Sequence, residues 1–223
     1  MVVQKRRKIY VLILAVLTVY VCFSAFVGFP LGFGKIMERN AAKNYCSIVY
    51  PQAQLGKTVF NPVAGGYETV VYLEEEPNHI GVNLTEQTIY DPYRAASFLK
   101  ESGVRELTLE LERTHDCFIA CQVVWPCNDP ATPVISLRLD YTDYESSPLP
   151  DERQIKELLA PVVLNCIIQV EEIFPLNKAI IKYYHPDFNP DEHGMTWRTM
   201  EISLDHDVPR TKELLDTAEL TDG

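Results

Sequence analysis

The chain has 223 residues and a formal net charge of −11 at pH 7. All 31 acidic residues follow residue 29, together with 16 of the 20 lysines and arginines, so this part of the chain carries a net charge of −15. Such an acidic body is not expected to bind nucleic acid or an anionic membrane surface, because both would repel it. Its length suits one domain or two small ones.

The segment from Ile9 to Phe29 contains no charged side chain. A helix of these 21 residues would be roughly 31 Å long, close to the roughly 30 Å hydrocarbon core of a bilayer. The run is longer than the apolar part of a signal peptide, and the residues before Ala25 fit a cleavage site poorly. The preceding tail, residues 1–8, carries four basic side chains: Lys5, Arg6, Arg7 and Lys8. We therefore predict a transmembrane anchor over 9–29 in the cell membrane, with a cytoplasmic N-terminus and an extracytoplasmic body.

Residues 30–104 are predicted to form a helix packed on a small antiparallel sheet. Apolar residues recur at helical spacing from Lys35 to Tyr50, and Pro51 ends the helix. A second helix is expected to begin at Pro92, with Asp91 as its N-cap, and to end at Gly103. Between the helices lie three short segments with strand character: Lys57–Phe60, Tyr67–Leu73 and His79–Leu84. The acidic residues 74–78 are expected to form a turn.

Residues 105–223 are predicted to form a second module, built around a long helix over 152–174 with Asp151 as its N-cap. The predicted strands are Arg105–Arg113, Cys117–Trp125, Val134–Tyr141, Ala179–Tyr184 and Trp197–Leu204, followed by a terminal helix over Pro209–Leu220. Because hairpins rather than alternating strands and helices dominate, the predicted fold class is α+β, with an N-terminal transmembrane helix followed by helix-on-antiparallel-sheet modules.

The first 100 residues resemble a known group of proteins. The predicted span is followed by Gly28-Phe29-Pro30, a short helix that ends Lys43-Asn44-Tyr45-Cys46-Ser47-Ile48-Val49-Tyr50-Pro51, and a Gly-Gly-Tyr strand. This order resembles the YfjL-like proteins, small membrane-anchored proteins of Gram-positive bacteria whose function is uncharacterised. The order of helix and hairpin is also similar to PepSY-type modules, which are linked to regulation of extracytoplasmic proteases. Neither resemblance implies a catalytic residue.

The segment from His185 to His193 is the candidate metal site. Asp187, Asn189 and Asp191 imitate the alternating oxygen ligands that open a calcium loop. The pattern then fails, because Glu192 stands at the glycine position and Arg198 at the twelfth position. Two prolines and several polar side chains are also typical of an ordinary turn. The low-ranking metal candidates are therefore His185, Asp187, Asp191 and His193.

Five cysteines lie outside the predicted span: Cys46, Cys117, Cys121, Cys127 and Cys166. Within a strand, Cys117 and Cys121 would lie about 13 Å apart, too far to share one zinc ion or one disulfide. An odd number also leaves one cysteine over in any complete set of bridges. We interpret them as buried thiols, with a single disulfide involving Cys127 as the alternative.

Two functions fit these patterns. The first is a membrane-anchored protein whose extracytoplasmic acidic domain binds or senses a partner of the cell envelope without catalysis. The second is a cell-envelope enzyme or divalent-cation-binding protein that uses the acidic loop 185–193. Motifs for a serine nucleophile, a phosphate-binding loop or a zinc protease do not occur in the sequence, so no catalytic residue and no cofactor are predicted.

Overall fold

The computed structural model describes residues 10, 13–20, 33–61, 66–73, 76–146, 148–185, 197–204 and 209–222. Within these ranges the chain is a mixed α and β protein with nine strands and five α-helices. It divides into two compact units, Met1–Asp91 and Pro92–Gly223.

Residues 13–20 are helical and belong to helix α1, and every side chain in this range is exposed. No helix in the described ranges is both long and apolar enough to cross a membrane. The basic tail 1–8 and most of the predicted anchor 9–29 lie outside the described residues.

The first unit contains one helix on a four-stranded antiparallel sheet. Its elements are α2 (Phe33–Val49), β1 (Gln54–Asn61), β2 (Gly66–Leu73), β3 (Glu76–Asn83) and β4 (Thr88–Tyr90), with the strands in chain order across the sheet. The predicted helix and antiparallel meander are confirmed. Strand β4 was not predicted, and residues 76–78, expected in a turn, begin β3.

Buried and exposed side chains alternate along β2 and β3, and the buried ones form the core of this unit. Val71 and Ile80 lie on neighbouring strands and are fully buried, as is Tyr45 of α2 at 1% exposure. Since successive side chains of a strand point to opposite faces, one sheet face packs under α2 and the other faces outward. The outward residues Tyr72 and His79 are exposed accordingly.

The second unit is a five-stranded mixed sheet with helices. Its elements are α3 (Pro92–Glu101), α4 (Val104–His115), β5 (Phe118–Pro126), β6 (Val134–Thr142), α5 (Glu152–Glu171), β7 (Lys178–Tyr184), β8 (Arg198–Ser203), the 3-10 helix η1 (Lys212–Thr217) and β9 (Leu220–Asp222). The predicted hairpin of β5 and β6 is confirmed, as are strands β7 and β8. Asp151 caps α5, as the sequence predicts, and the structure adds a reciprocal hydrogen bond with Gln154.

Helix α3 belongs to the second unit, so the boundary lies after Asp91 rather than at residue 104. The ring of Phe98 contacts that of Phe174, with centroids 5.6 Å apart. The guanidinium of Arg94 lies 4.4 Å from the ring centroid of Trp125. Gly103, whose φ is +75°, lies in the turn between α3 and α4, which belong to the same unit. It therefore does not mark a boundary between units.

The prediction of a strand over Arg105–Arg113 is wrong, because this segment forms helix α4. Leucines at every second position suggested a strand, but Val104, Thr108 and Leu111 also recur at helical spacing and are the residues that α4 buries. Leu109, which the strand pattern placed inward, is 45% exposed. Leu, Glu and Arg are all good helix formers, which favours the helix further.

Two other expectations for this unit require correction. Strands β6 and β7 are parallel and are joined through α5, so the sheet is mixed and not purely antiparallel. The terminal helix predicted over Pro209–Leu220 is reduced to η1, and the chain then adds β9 antiparallel to β8. Pairing of Met200 with Leu220 places the C-terminal residues in the sheet.

Candidate functional site

The parallel pair of β6 and β7 creates a common edge where both strands end. Asp143 follows β6 directly, and His185 follows β7. The carboxyl ends of parallel strands are where α/β proteins commonly place ligands, because the following loops converge there. Among the described residues, this edge is therefore where a ligand site is expected.

Asp143 accepts several hydrogen bonds at this edge, and it is buried, with 4% exposure. Its Oδ2 accepts a hydrogen bond from the Tyr183 hydroxyl at 2.7 Å. Its Oδ1 accepts from the backbone amides of Glu145 and Ser146, each at 3.0 Å. The carboxylate thus ties the turn after β6 to the end of β7.

His185 completes the edge. Its side chain is buried, with 4% exposure, and Nε2 lies 2.7 Å from the carbonyl oxygen of Ser146. Because a carbonyl only accepts, Nε2 carries the proton and donates. The rings of Tyr141, Tyr183 and His185 are stacked in sequence, with neighbouring centroids 6.4 Å apart.

These contacts shift the pKa values of the edge residues in opposite directions. Burial would raise the pKa of Asp143, but hydrogen bonds from the Ser146 side chain, Tyr183 and the two amides outweigh it and lower the pKa to about 2. Burial raises the pKa of Tyr183, and its hydrogen bond to Asp143 raises it further. Asp143 is therefore a poor base and Tyr183 keeps its proton, so the pair stabilises the fold rather than activating a nucleophile.

Of the four metal candidates, the structure describes only His185. Asp187, Asp191 and His193 lie outside the described residues. In the described part of the chain, no group of three metal-binding side chains converges. The Nε2 atom of His185 donates to a carbonyl, which leaves that nitrogen unsuited to a metal ion.

The described cysteines are free thiols. Their interpretation as buried residues is confirmed for Cys46, Cys117 and Cys166, whereas Cys121 and Cys127 are partly exposed. Burial raises the pKa of Cys121 and of Cys166 to about 12, and it raises that of Cys117 to about 11. A thiol with such a pKa is protonated at neutral pH and reacts slowly.

A second feature, which the sequence did not reveal, lies in the first unit. Glu38 of α2 is 6% exposed, and its Oε2 accepts no hydrogen bond within the described residues. Burial raises the pKa of this carboxyl group to about 7, although the amide of Tyr67 donates to it and acts in the opposite direction. The only sequence signal was an acidic residue on the helix face that also carries Ala42 and Tyr45.

Asp91, in the same unit, is also buried, but unlike Glu38 it accepts hydrogen bonds at both carboxylate oxygens. Its Oδ2 accepts from the hydroxyls of Tyr45 and Tyr50 at 2.9 and 2.7 Å, and its Oδ1 accepts from Asn78 at 2.9 Å. The residue predicted to cap a helix therefore joins α2 and the residue that follows it to β3. Its contacts are those of a structural carboxylate.

Comparisons with family models, with characterised proteins and with solved structures found no match for this chain. The resemblance to YfjL-like proteins thus stays a prediction.

Proposed function

We propose that this chain is a single-pass membrane protein whose acidic α+β body lies outside the cytoplasm and binds or senses a partner of the cell envelope. The uncharged run from Ile9 to Phe29, behind a basic tail, supports the anchor and its orientation.

The observation that carries the proposal is the surface of α1. All side chains over 13–20 are exposed, and the large apolar ones are Ile13, Leu14, Val16, Leu17, Val19 and Tyr20. Leu14 and Val19 are 66% and 68% exposed. A helix that is apolar on every face is stable only inside a protein core or inside a membrane. Since the described residues leave the side chains over 13–20 exposed, their apolar surface favours the membrane.

The hydrogen bond of Thr18 supports the same environment. The hydroxyl of Thr18 donates to the carbonyl oxygen of Leu14 at 2.9 Å, one turn earlier in the helix. This bond satisfies the hydroxyl without water, as is required in hydrocarbon.

The chemistry of the body supports binding rather than catalysis. The carboxylate of Asp143 and the hydroxyl of Tyr183 hold each other in their unreactive forms. The buried thiols of Cys117 and Cys166 are protonated at neutral pH, since their pKa values are about 11 and 12.

The test is labelling of a surface cysteine on intact cells that express the full chain. Arg153 is suitable, because its side chain is 86% exposed at the start of α5. We expect Arg153→Cys to react with a membrane-impermeant maleimide before lysis. The matched control, Lys5→Cys in the basic tail, is expected to react only after lysis. Wild-type chain labelled in parallel measures the background from the native cysteines.

Labelling of Lys5→Cys but not Arg153→Cys on intact cells would reverse the orientation. Release of the chain from membranes by alkaline carbonate would contradict the anchor itself. If labelling supports the orientation, crosslinking on intact cells tests the binding role, and the absence of any specific crosslinked protein or ligand would count against it.

A further inference from the structure

The exposed face of helix α2 differs in charge from the rest of the body. Lys35, Arg39 and Lys43 are exposed and stand at intervals of four residues, so they form one row along the helix. Ile36 is 57% exposed and lies beside this row, whereas Met37 and Ile48, which are 46% and 65% exposed, lie farther round the helix at 3.6 residues per turn. We call Lys35, Ile36, Arg39 and Lys43 the basic face of α2.

The basic face carries no negative charge of its own helix. Glu38 is the single acidic residue of α2, and it is buried against the sheet. The helix therefore presents three cations and three apolar side chains in a body whose net charge is −15. Basic and apolar residues together on an exposed helix are typical of helices that lie at the surface of an anionic membrane.

The position of α2 in the chain favours the same partner. Helix α2 begins at Phe33, four peptide steps after the end of the predicted anchor at Phe29. Four extended steps span at most about 14 Å. If the anchor crosses the membrane, the first turn of α2 is held next to the lipid headgroups.

We propose that the basic face of α2 lies on the headgroups of anionic phospholipids and holds the body against the membrane. This inference rests on the proposed function, since the anchor brings α2 to the surface. The net charge of the body predicts repulsion from such a surface. Charges separated by more than a Debye length of about 8 Å are screened at physiological salt, however, so the side chains nearest the lipid dominate.

The test uses the full chain reconstituted in vesicles, with a fluorophore attached to Asn40→Cys and a quencher on the lipid headgroups. Asn40 is exposed on α2, next to Arg39. We expect stronger quenching in vesicles that contain phosphatidylglycerol than in pure phosphatidylcholine, and loss of this difference at high salt.

Lys35→Gln combined with Lys43→Gln is the critical variant. Arg39 is left unchanged, because its Nη1 donates to Gly56 O at 2.7 Å and to Thr58 Oγ1 at 3.3 Å, contacts that tie α2 to β1. One basic side chain near an anionic surface strengthens binding about fivefold, so the double change is expected to lower the ratio of docked to undocked body roughly 25-fold. The matched control, Lys57→Gln with Lys100→Gln, removes the same charge from exposed positions outside α2 and is expected to leave quenching unchanged.

Quenching that does not depend on phosphatidylglycerol, or that falls equally in both double variants, would overturn the docking proposal while the anchor stands. A chain that alkaline carbonate strips from the vesicles contradicts the anchor instead. Docking is then judged by flotation with phosphatidylglycerol vesicles at neutral pH: loss of flotation in Lys35→Gln/Lys43→Gln supports it, and flotation equal to that of the control overturns it.

Discussion

Two buried carboxyl groups, one in each unit, have opposite pKa shifts. Asp143 is 4% exposed and Glu38 is 6% exposed, so burial alone does not distinguish them. Asp143 accepts hydrogen bonds from a tyrosine and two amides, and its pKa falls to about 2. Glu38 has an oxygen without a hydrogen bond among the described residues, and its pKa rises to about 7.

The hydrogen-bond donors around these two buried carboxyl groups, rather than their depth, decide which of them is charged at neutral pH. Desolvation disfavours the charged form in both places, and only at Asp143 do the donors outweigh it. The consequence for stability has opposite signs in the two units. Asp143 stabilises the second unit as an anion, whereas Glu38 stabilises the first unit only while it holds a proton.

The largest effect is expected from Asp143→Ala. The change leaves the Tyr183 hydroxyl and the amides of Glu145 and Ser146 without their acceptor, and it should cost about 4 kcal/mol of unfolding free energy. Urea unfolding of the full chain in detergent, followed by tryptophan fluorescence, measures it, because both tryptophans, Trp125 and Trp197, belong to the second unit. The control Asp140→Ala removes a carboxylate whose partner Arg138 is half-exposed, and a smaller loss is expected. Equal losses would show that the donors at Asp143 have no special role.

The second effect is a gain of stability from Glu38→Gln at pH 8. The carboxyl group has a pKa of about 7 in the folded chain against 4.5 for an ordinary glutamate. Its contribution to stability is thus fully present below pH 4.5 and is lost as the pH rises through 7. Glutamine resembles the protonated form, so the variant should be more stable by about 3 kcal/mol at pH 8 and unchanged at pH 4.

Hydrogen exchange of the α2 amides at both pH values measures this difference, because residues 1–91 contain no tryptophan to report on the first unit. Glu76→Gln, at an exposed position of β3, is the matched control and should not change α2 exchange. A Glu38→Gln variant that exchanges faster than wild type at pH 8 would contradict a raised pKa.

The third effect is a loss of second-unit stability in acid. The pKa of Asp143 is about 2 in the folded chain against 3.8 for an ordinary aspartate, so its contribution is present above pH 3.8 and disappears as the pH falls through 2. The expected loss is about 2 kcal/mol. Tryptophan-monitored unfolding from pH 5 to pH 2 should show it in wild type. An equally steep loss in Asp143→Asn would assign it to other groups.

The smallest effect is expected from Tyr183→Phe. This change removes one donor to Asp143 but keeps the ring that stacks between Tyr141 and His185. A cost of about 1.5 kcal/mol is expected, typical of a hydrogen bond to a charged group. The pKa of Asp143, followed by NMR of its carboxyl carbon, should rise toward its ordinary value. An unchanged pKa would mean that the amides alone hold the carboxylate.

The elements of the fold were largely predictable because they depend on local pattern. Helices α2 and α5, the antiparallel strands of the first unit and the Asp151 cap all follow from periodicity and from residues near one another in the chain. The segment that became α4 was ambiguous, since its leucines fit both a period of two and a helical stripe. Packing against β5 and α5 decided between them.

The candidate site was much less predictable, because its residues are distant in sequence. Asp143 and Tyr183 are 40 positions apart, and Glu38 faces a strand that begins 28 residues later. The sequence singled out His185 but assigned it to a metal loop, whereas the structure places it on the carbonyl of Ser146. A lone acidic residue in a helix or a turn gives no sign of what surrounds it.

By itself the sequence determined the uncharged N-terminal run, the acidic body, the positions of most helices and strands and the basic row on α2, since each depends on residue type and spacing alone. Only the tertiary structure decided that β6 and β7 are parallel, where the two units divide and which buried carboxyl group keeps its charge. The reason is physical: strand direction and the ionisation of a buried group depend on contacts between distant parts of the chain, and no local pattern specifies those contacts.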